Sequence, residues 1–252
     1  MTDPEGRPPQ NVYDDPEFFA GYSQLERFGE NWGVAYEHDA FVALLPDVAE
    51  SRILDLGCGA GQLALHLAES GAAEVIGLDL SERMLEIATA ERSHPRVTYL
   101  RASMEEAEFP AGRFELVVSS LAIHYVEDYG GLVHRIADWL VPGGILVFST
   151  EHPVNMARAS DDGWIRDANG EPMLWTIDRY GSEGLREERW YRDGVQKYHR
   201  MLSTLLNGLT DAGLAIERVV EPMPTDDQLR AHPSWIHERR RPIFLLVRAR
   251  KP

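Results

Sequence analysis

From Ser51 to Thr150 the sequence alternates between short apolar runs and segments with helical periodicity. The runs RILDLG, EVIGLDL, VTYLRAS, FELVVSS and GILVFST each predict a strand. The segments GQLALHLAES and YGGLVHRIADWL between them place their apolar residues on one helical stripe. Strands that alternate with crossover helices predict an α/β fold, in which a parallel sheet is covered by helices on both faces.

This pattern divides the chain into four parts. Residues 1–50 are predicted to combine a mobile Pro- and Gly-rich tail, up to about residue 12, with short lid helices. Residues 51–150 form the alternating core, and residues 201–252 return to it with the strand patterns LAIERVVEP and PIFLLVRAR. Residues 151–200 break the rhythm, and an Asp-Gly pair within the aromatic segment REERWYRDGVQKYHR predicts a hairpin there. We interpret residues 151–200 as an inserted cap.

Composition excludes several classes of function. The net charge of −16 disfavours a nucleic-acid partner, and we interpret the one basic run, HERRRP, as a solvated turn. No apolar stretch approaches the roughly 20 residues of a membrane helix, and the start lacks a signal peptide, so a cytoplasmic protein is expected. We expect it to be a monomer or a homodimer. A single cysteine excludes an internal disulfide, and no clustered ligands predict a metal.

The first predicted strand runs into a loop with three alternating glycines. Gly57, Gly59 and Gly61 are spaced GxGxG, whereas the dinucleotide fingerprint is GxGxxG. Asp55 precedes them, and its carboxylate would repel a pyrophosphate but attract the cationic end of a ligand. Asp79 closes the second strand, where an acid can accept hydrogen bonds from both hydroxyls of a ribose. The pattern therefore favours a nucleoside that carries an amino-acid chain over NAD and its oxidoreductase chemistry.

Four segments in this order resemble the class I S-adenosylmethionine-dependent methyltransferases, in particular the bacterial group that includes quinone-biosynthesis and natural-product enzymes. LDLGCGAG is similar to the family's cofactor loop, and GLDLSERML to its ribose segment. RASMEEAEFPAGRFELVVSSLAIHYVED and WLVPGGILVFS resemble the adenine segments and the late helix, turn and strand. The resemblance implies a Rossmann-like, seven-stranded, mostly parallel sheet of order 3-2-1-4-5-7-6 with the seventh strand antiparallel. It also implies S-adenosylmethionine as cofactor and S-adenosylhomocysteine as product.

The resemblance also assigns cofactor-binding positions along the chain. The methionine part would lie along the glycine loop, the ribose at Asp79, and the adenine beside the residues that follow. Where the family often has Asp-Ala, this chain has Ser103 and Met104, so the contact implied there is made by the Met104 backbone. The implied set is Asp55, Gly57, Gly59, Gly61, Asp79, Leu80, Met84, Ser103, Met104 and Ser119.

The acceptor side offers fewer signals. His124 follows the fourth strand and His152 the fifth, and histidine is the side chain best suited to proton removal near neutral pH. These two residues are the candidate catalytic bases; the alternative is that each imidazole only hydrogen-bonds a loop. His199, Tyr13 and Tyr22 are candidate acceptor or lid residues, with packing in the protein interior as the alternative for each.

The predicted function is therefore methyl transfer to a small-molecule acceptor. The aromatic content of residues 151–200 favours a flat or aromatic acceptor, and an indole carbon is one example. The alternatives are a methyltransferase that acts on a macromolecule and a protein that binds the cofactor without chemistry. The macromolecular alternative lacks support from the charge and from SSLAIH, which replaces the Asn/Asp-Pro-Pro-aromatic tetrapeptide.

Overall fold

A computed structural model describes residues 9–25, 28, 35–160 and 162–252, so most of the predicted tail lies outside the described residues. The strands are β1 (Arg52–Leu56), β2 (Glu74–Asp79), β3 (Val97–Arg101), β4 (Phe114–Ser120), β5 (Leu140–Glu151), β6 (Trp164–Arg166), β7 (Pro172–Trp175), β8 (Gly184–Trp190), β9 (Arg192–His199), β10 (Ala215–Val220) and β11 (Phe244–Arg250). The α-helices are α1 (Pro16–Tyr22), α2 (His38–Val42), α3 (Gln62–Glu69), α4 (Glu82–Glu91), α5 (Tyr129–Trp139), α6 (Pro153–Met156), α7 (Leu202–Asp211) and α8 (Asp226–Ala231).

Seven of the strands form one sheet in the order β10-β11-β5-β4-β1-β2-β3. Neighbours among β1 to β5 are parallel, whereas β11 is antiparallel to both β5 and β10. Because β10 and β11 are the sixth and seventh strands of this sheet along the chain, the predicted order 3-2-1-4-5-7-6 is confirmed. The carboxyl ends of β1, β2, β4 and β5 therefore meet at one edge, where ligands bind in open α/β sheets.

Helices cover both faces of the sheet, as the alternating pattern predicts. Successive residues of a strand point to opposite faces, and in β1 Ile53 and Leu54 accordingly belong to different buried clusters. One cluster joins the sheet to α5 and α7, the other to α2 and α3. The longest described helix, α5, has 11 residues, and no helix within the described ranges is long and apolar enough to cross a membrane.

The sequence predicts that the segment VPGG separates α5 from the following strand. The structure differs from this prediction. Helix α5 ends at Trp139, and β5 begins at once with Leu140 and includes these four residues. Leu140 pairs with Phe114, but the next pair along β4 is Leu116 with Ile145, so the extra residues form an irregularity within the ladder.

Residues 151–200 form two antiparallel hairpins, β6 with β7 and β8 with β9. The second hairpin confirms the prediction from the aromatic segment, but its turn lies at Tyr191 and not at Asp193-Gly194. Trp190 pairs directly with Arg192 across Tyr191, whose φ is +61°. Gly194, with φ +75°, lies inside β9 near the register shift, so its conformational freedom serves an irregularity of the strand.

Candidate active site

The glycine loop after β1 requires glycine for two separate reasons. Gly57, Gly59 and Gly61 all have positive φ, at +75°, +53° and +86°. A Cβ at Gly57 would lie 2.3 Å from the Ala122 Cβ, and one at Gly61 would lie 2.4 Å from the Tyr99 hydroxyl. A Cβ at Gly59 would meet no atom within 4 Å, so the loop backbone is open to a ligand there.

Asp79 at the end of β2 holds this loop in place. Its Oδ2 accepts a hydrogen bond from the Gly59 amide at 2.8 Å, and its Oδ1 accepts one from the Ser81 amide at 2.9 Å. Burial raises the pKa of Asp79, although these backbone amides oppose the shift. Each carboxylate oxygen can accept a second hydrogen bond, so Asp79 can bind a pair of hydroxyls while it fixes the loop.

Asp55 lies at the same sheet edge with no such support. Its side chain is 1% exposed, and its Oδ2 has no hydrogen-bond partner among the described residues. Burial and the negative charge of Asp79 raise the pKa of Asp55 to about 8. A buried carboxylate without a partner is costly, and a cationic ligand group would remove that cost. The open backbone at Gly59 and this carboxylate together fit the amino-acid end of S-adenosylmethionine.

A cavity of about 350 Å³ connects the glycine loop with aromatic residues of β8 and of residues 9–25, which we call the amino-terminal segment. The predicted residues that line it are Asp55, Gly57, Gly59, Asp79, Leu80, Met84, Ser103, Met104, His124, Tyr13 and Tyr22. The structure thus brings eight of the ten implied cofactor residues, one candidate base and both candidate lid tyrosines to a single site.

Two of the implied cofactor residues do not line this cavity in the described structure. Gly61 precedes α3, where its positive φ and its contact with Tyr99 account for a glycine. The Ser119 hydroxyl donates a hydrogen bond to the Leu56 carbonyl at 2.8 Å and so ties β4 to β1. Both residues support the loop from behind.

Two histidines are also absent from the described lining of the cavity. The Nδ1 atom of His152 accepts a hydrogen bond from the Val154 amide at 3.0 Å, and its Nε2 lies 2.8 Å from Glu221 Oε1. His199 Nε2 lies 2.8 Å from the Tyr180 carbonyl oxygen. Burial lowers the pKa of both imidazoles. These hydrogen bonds join His152 to the end of β10 and His199 to the segment before β8.

His124 occupies a short 3-10 turn after β4 and lines the cavity. It is 4% exposed, and its ring centroid lies 4.5 Å from that of Tyr125. The Thr150 hydroxyl lies 3.4 Å from His124 Nδ1, and the Glu151 amide donates to the same atom at 3.5 Å. Both contacts are long for hydrogen bonds, and they set the ring against the end of β5.

Among the lining residues that the sequence did not predict as site residues are Tyr125, Glu151 and Trp190. Glu151 ends β5, and its position at the carboxyl end of a central strand is a signal that could have identified it. Tyr125 adjoins His124 and shares that signal. Trp190 carries no such signal, because the folding of the β8–β9 hairpin brings it to the cavity.

The amino-terminal segment packs directly against this hairpin. Gln10 donates to the Gly194 carbonyl and accepts from the Gln196 amide, each at 2.9 Å. The ring of Phe18 lies edge-on to Trp190, with 5.2 Å between the centroids. The Tyr13 and Tyr125 hydroxyl oxygens are 3.1 Å apart. The two segments and the turn that carries Tyr125 therefore form one aromatic wall beside the cavity, which consists of Tyr13, Tyr22, Tyr125 and Trp190.

The same amino-terminal segment is anchored to the cofactor side by Asp14. Its carboxylate accepts hydrogen bonds from the Ser81 hydroxyl and from the Glu82 and Arg83 amides, the latter two at 3.2 and 3.1 Å. Burial opposes the ionised form, but these hydrogen bonds outweigh it and lower the pKa of Asp14. An ionised carboxylate also complements the amino terminus of α4.

Comparison with known proteins identifies the family. A methyltransferase domain model matches residues 53–144. An S-adenosylmethionine-dependent methyltransferase from Mesorhizobium loti is 48% identical, and its crystal structure superposes with a TM-score of 0.81 over 86% of this chain and 98% of that one. A Haemophilus influenzae protein is 35% identical over an alignment that covers 96% of this chain and 97% of the relative.

A further relative matches part of the chain. The ubiquinone biosynthesis O-methyltransferase of Bradyrhizobium diazoefficiens is 39% identical over 101 residues, or 39% of each protein. The range matched by the family model includes the glycine loop, Asp79 and the carboxyl ends of β1, β2 and β4. The chain is a member of the S-adenosylmethionine-dependent methyltransferases.

Proposed function

We propose that the enzyme transfers the methyl group to a small, flat or aromatic acceptor, of which an indole carbon is one example. The observation that carries this proposal is the aromatic wall of Tyr13, Tyr22, Tyr125 and Trp190, which lines the same cavity as the cofactor loop. Aromatic rings offer large apolar contact to a flat ligand. The cavity volume of about 350 Å³ and the net charge of −16 favour a small molecule over a nucleic acid.

On the cofactor side, the proposal assigns a role to each carboxylate. Asp55 would bind the ammonium group and Asp79 the ribose hydroxyls, while Leu80 and Met84 would contact the adenine. When bound, S-adenosylmethionine supplies an electrophilic methyl group on a sulfonium. The chain then has to orient the acceptor, exclude water and accept a proton where the acceptor carries one.

His124 is the proposed base for that proton. It lines the cavity near both the cofactor loop and the aromatic wall, whereas His152 is hydrogen-bonded to Glu221 outside the lining. The relative from Bradyrhizobium is named for O-methylation in ubiquinone biosynthesis, so an oxygen acceptor stands beside carbon and nitrogen acceptors in this proposal.

The aromatic wall is tested by Trp190→Ala, with Trp175→Ala as the matched control. Trp175 belongs to β7 in the other hairpin and packs against Trp164 at 5.2 Å between ring centroids. We expect Trp190→Ala to raise the KM for the acceptor about tenfold or more, since tryptophans at binding surfaces are frequent hot spots. Affinity for S-adenosylhomocysteine should change little.

The assay follows formation of S-adenosylhomocysteine with a panel of phenols, indoles and heteroaromatic amines. Trp175→Ala should keep the KM of the unaltered enzyme. Equal effects of the two variants, or methyl transfer that is confined to RNA or protein, would contradict the proposal.

A further inference from the structure

The charges that line the cavity have one sign. Its acidic residues are Glu37, Asp55, Asp79, Glu105 and Glu151, and its described lining contains no lysine or arginine. An acceptor with a carboxylate or phosphate would enter this negative surface with no lysine or arginine of the described lining to pair with it. A group that donates a hydrogen bond or carries positive charge would be favoured in the same place.

Glu151 is the acidic residue on the acceptor side. It ends β5 next to His124, and its side chain keeps 16% of its surface exposed. Its Oε1 accepts a hydrogen bond from Lys197 Nζ, and its Oε2 accepts one from Asn155 Nδ2 at 3.4 Å. A carboxylate oxygen has two acceptor positions, so each oxygen retains one for a ligand.

A buried network holds this carboxylate in its ionised form. Lys197 of β9 pairs with both Glu151 and Glu188, and Arg158 pairs with Glu188. Burial would raise the pKa of Glu151, but the positive charges of Lys197, His124 and Arg158 lower it. Among the described residues of the network, Lys197, Glu188 and Arg158 do not line the cavity. The carboxylate therefore lines the ligand space together with His124, whereas its lysine and arginine counter-ions lie outside the described lining.

We propose that Glu151 binds the acceptor and that the acceptor presents an N–H group to it, as a protonated amine or as the N–H of a nitrogen heterocycle. The surrounding rings of Tyr13, Tyr125 and Trp190 suit such a group, because aromatic faces attract cations and polarised N–H groups. This inference rests on the proposed function, since it assigns the acceptor class for the same cavity.

The test compares paired probes that differ in a single group. Indole is compared with benzofuran, and 2-naphthylmethylamine with 2-naphthoate, for binding to the full-length enzyme saturated with S-adenosylhomocysteine. We expect the N–H member of each pair to bind at least about tenfold more tightly, the range for a hydrogen bond to a charged group. Isothermal titration calorimetry gives both affinities without any need for turnover.

Two variants of the same network separate ligand binding from folding. Glu151→Gln keeps the shape but removes the charge, and it should reduce the preference within each pair about tenfold. Glu188→Gln perturbs the network outside the described lining and should leave the preference unchanged. Thermal unfolding of both variants reports the shared structural effect.

Three results would overturn the inference: preferred binding of 2-naphthoate, no binding by either N–H probe, or an equal loss of preference in both variants. Methylation of a flat carboxylic acid that depends on Trp190 would refute the N–H acceptor and leave the proposed function intact. Conversely, a preserved N–H preference without any dependence on Trp190 would refute the aromatic wall alone.

Discussion

At the scale of single residues, the two carboxylates of the loop edge differ because of their neighbours. Asp79 accepts two backbone hydrogen bonds, whereas the Oδ2 of Asp55 has none within the described structure. Asp79 therefore fixes the loop in addition to its proposed ribose contact, whereas the proposed role of Asp55 is ligand binding alone. The same residue type serves two purposes, and hydrogen bonding decides which.

Asp79→Ala tests the proposed ribose contact. We expect the variant to bind S-adenosylhomocysteine more weakly by about 1.5–3 kcal/mol, since hydrogen bonds to a charged group are lost. The Gly59 amide would also lose its partner. Calorimetry measures the affinity, and Asp138→Ala on the exposed side of α5 is the control. Unchanged affinity in Asp79→Ala would place the ribose elsewhere.

The two candidate bases give a second test at this scale. For an acceptor that must lose a proton, His124→Ala should lower single-turnover methyl transfer about 10²–10⁴-fold, with little change in cofactor affinity. His152→Ala should keep the rate but lower the free energy of unfolding by about 1 kcal/mol, because its hydrogen bonds to Glu221 and to the Val154 amide are lost.

Both rates should be measured across pH once an acceptor is known. The activity that depends on His124 should fall as pH drops through the histidine pKa, since only the neutral imidazole accepts a proton. Normal rates and an unaltered pH profile in His124→Ala would leave positioning alone as the source of catalysis.

At the scale of elements, the two hairpins of residues 151–200 have different surroundings. The β8–β9 hairpin contacts the amino-terminal segment and supplies Trp190 to the cavity. In the β6–β7 hairpin, Trp164 lies beneath Arg240, whose guanidinium is 4.9 Å from the ring centroid. We therefore propose that the lid consists of the β8–β9 hairpin and the amino-terminal segment. This lid contains only part of the predicted cap, because the β6–β7 hairpin is left out.

Hydrogen exchange can detect this lid. When S-adenosylhomocysteine and an acceptor bind, amide exchange should slow about tenfold or more in residues 9–25 and 184–199, because ligand contact stabilises both segments. Residues 164–175 serve as an internal control and should exchange as before. Protection that is restricted to residues 57–79 would mean that neither segment closes over the ligand.

At the scale of the whole molecule, the pKa of Asp55 links the cofactor site to stability. The folded pKa of about 8 lies above the ordinary value of 3.8, so the folded protein binds the proton more tightly than the unfolded chain. The contribution of Asp55 to the free energy of unfolding of the ligand-free protein should then fall as pH rises from about 4 to about 8, by up to about 1.4 kcal/mol per unit for one proton.

Asp55→Asn should remove this contribution, because an amide does not titrate. Urea unfolding of both proteins at several pH values isolates the Asp55 effect as the difference between them. The stability gap should favour the variant increasingly as pH rises, and it should level off above about pH 8. A gap that is constant with pH would show that Asp55 ionises normally in the folded protein.

The sequence by itself determined the sheet, the glycine loop and the cofactor-side carboxylates. Strand periodicity, the φ requirement of Gly57 and the position of Asp79 at a strand end are local properties that adjacent residues specify. Parallel strands with crossover helices then bring these strand ends to one edge with little freedom of arrangement. The predictions for Asp55 and Asp79 needed no knowledge of distant contacts.

Only the tertiary structure decided how the acceptor side is built. The β8–β9 hairpin brings Trp190 to the cavity and Lys197 to Glu151. His152 is paired with Glu221, which lies 69 residues away along the chain. Such pairings depend on how separate elements pack, and local sequence patterns do not encode that packing. The sheet and the glycine loop were predictable because local patterns and crossover connections specify them, whereas the acceptor side joins residues that only the packing of separate elements brings together.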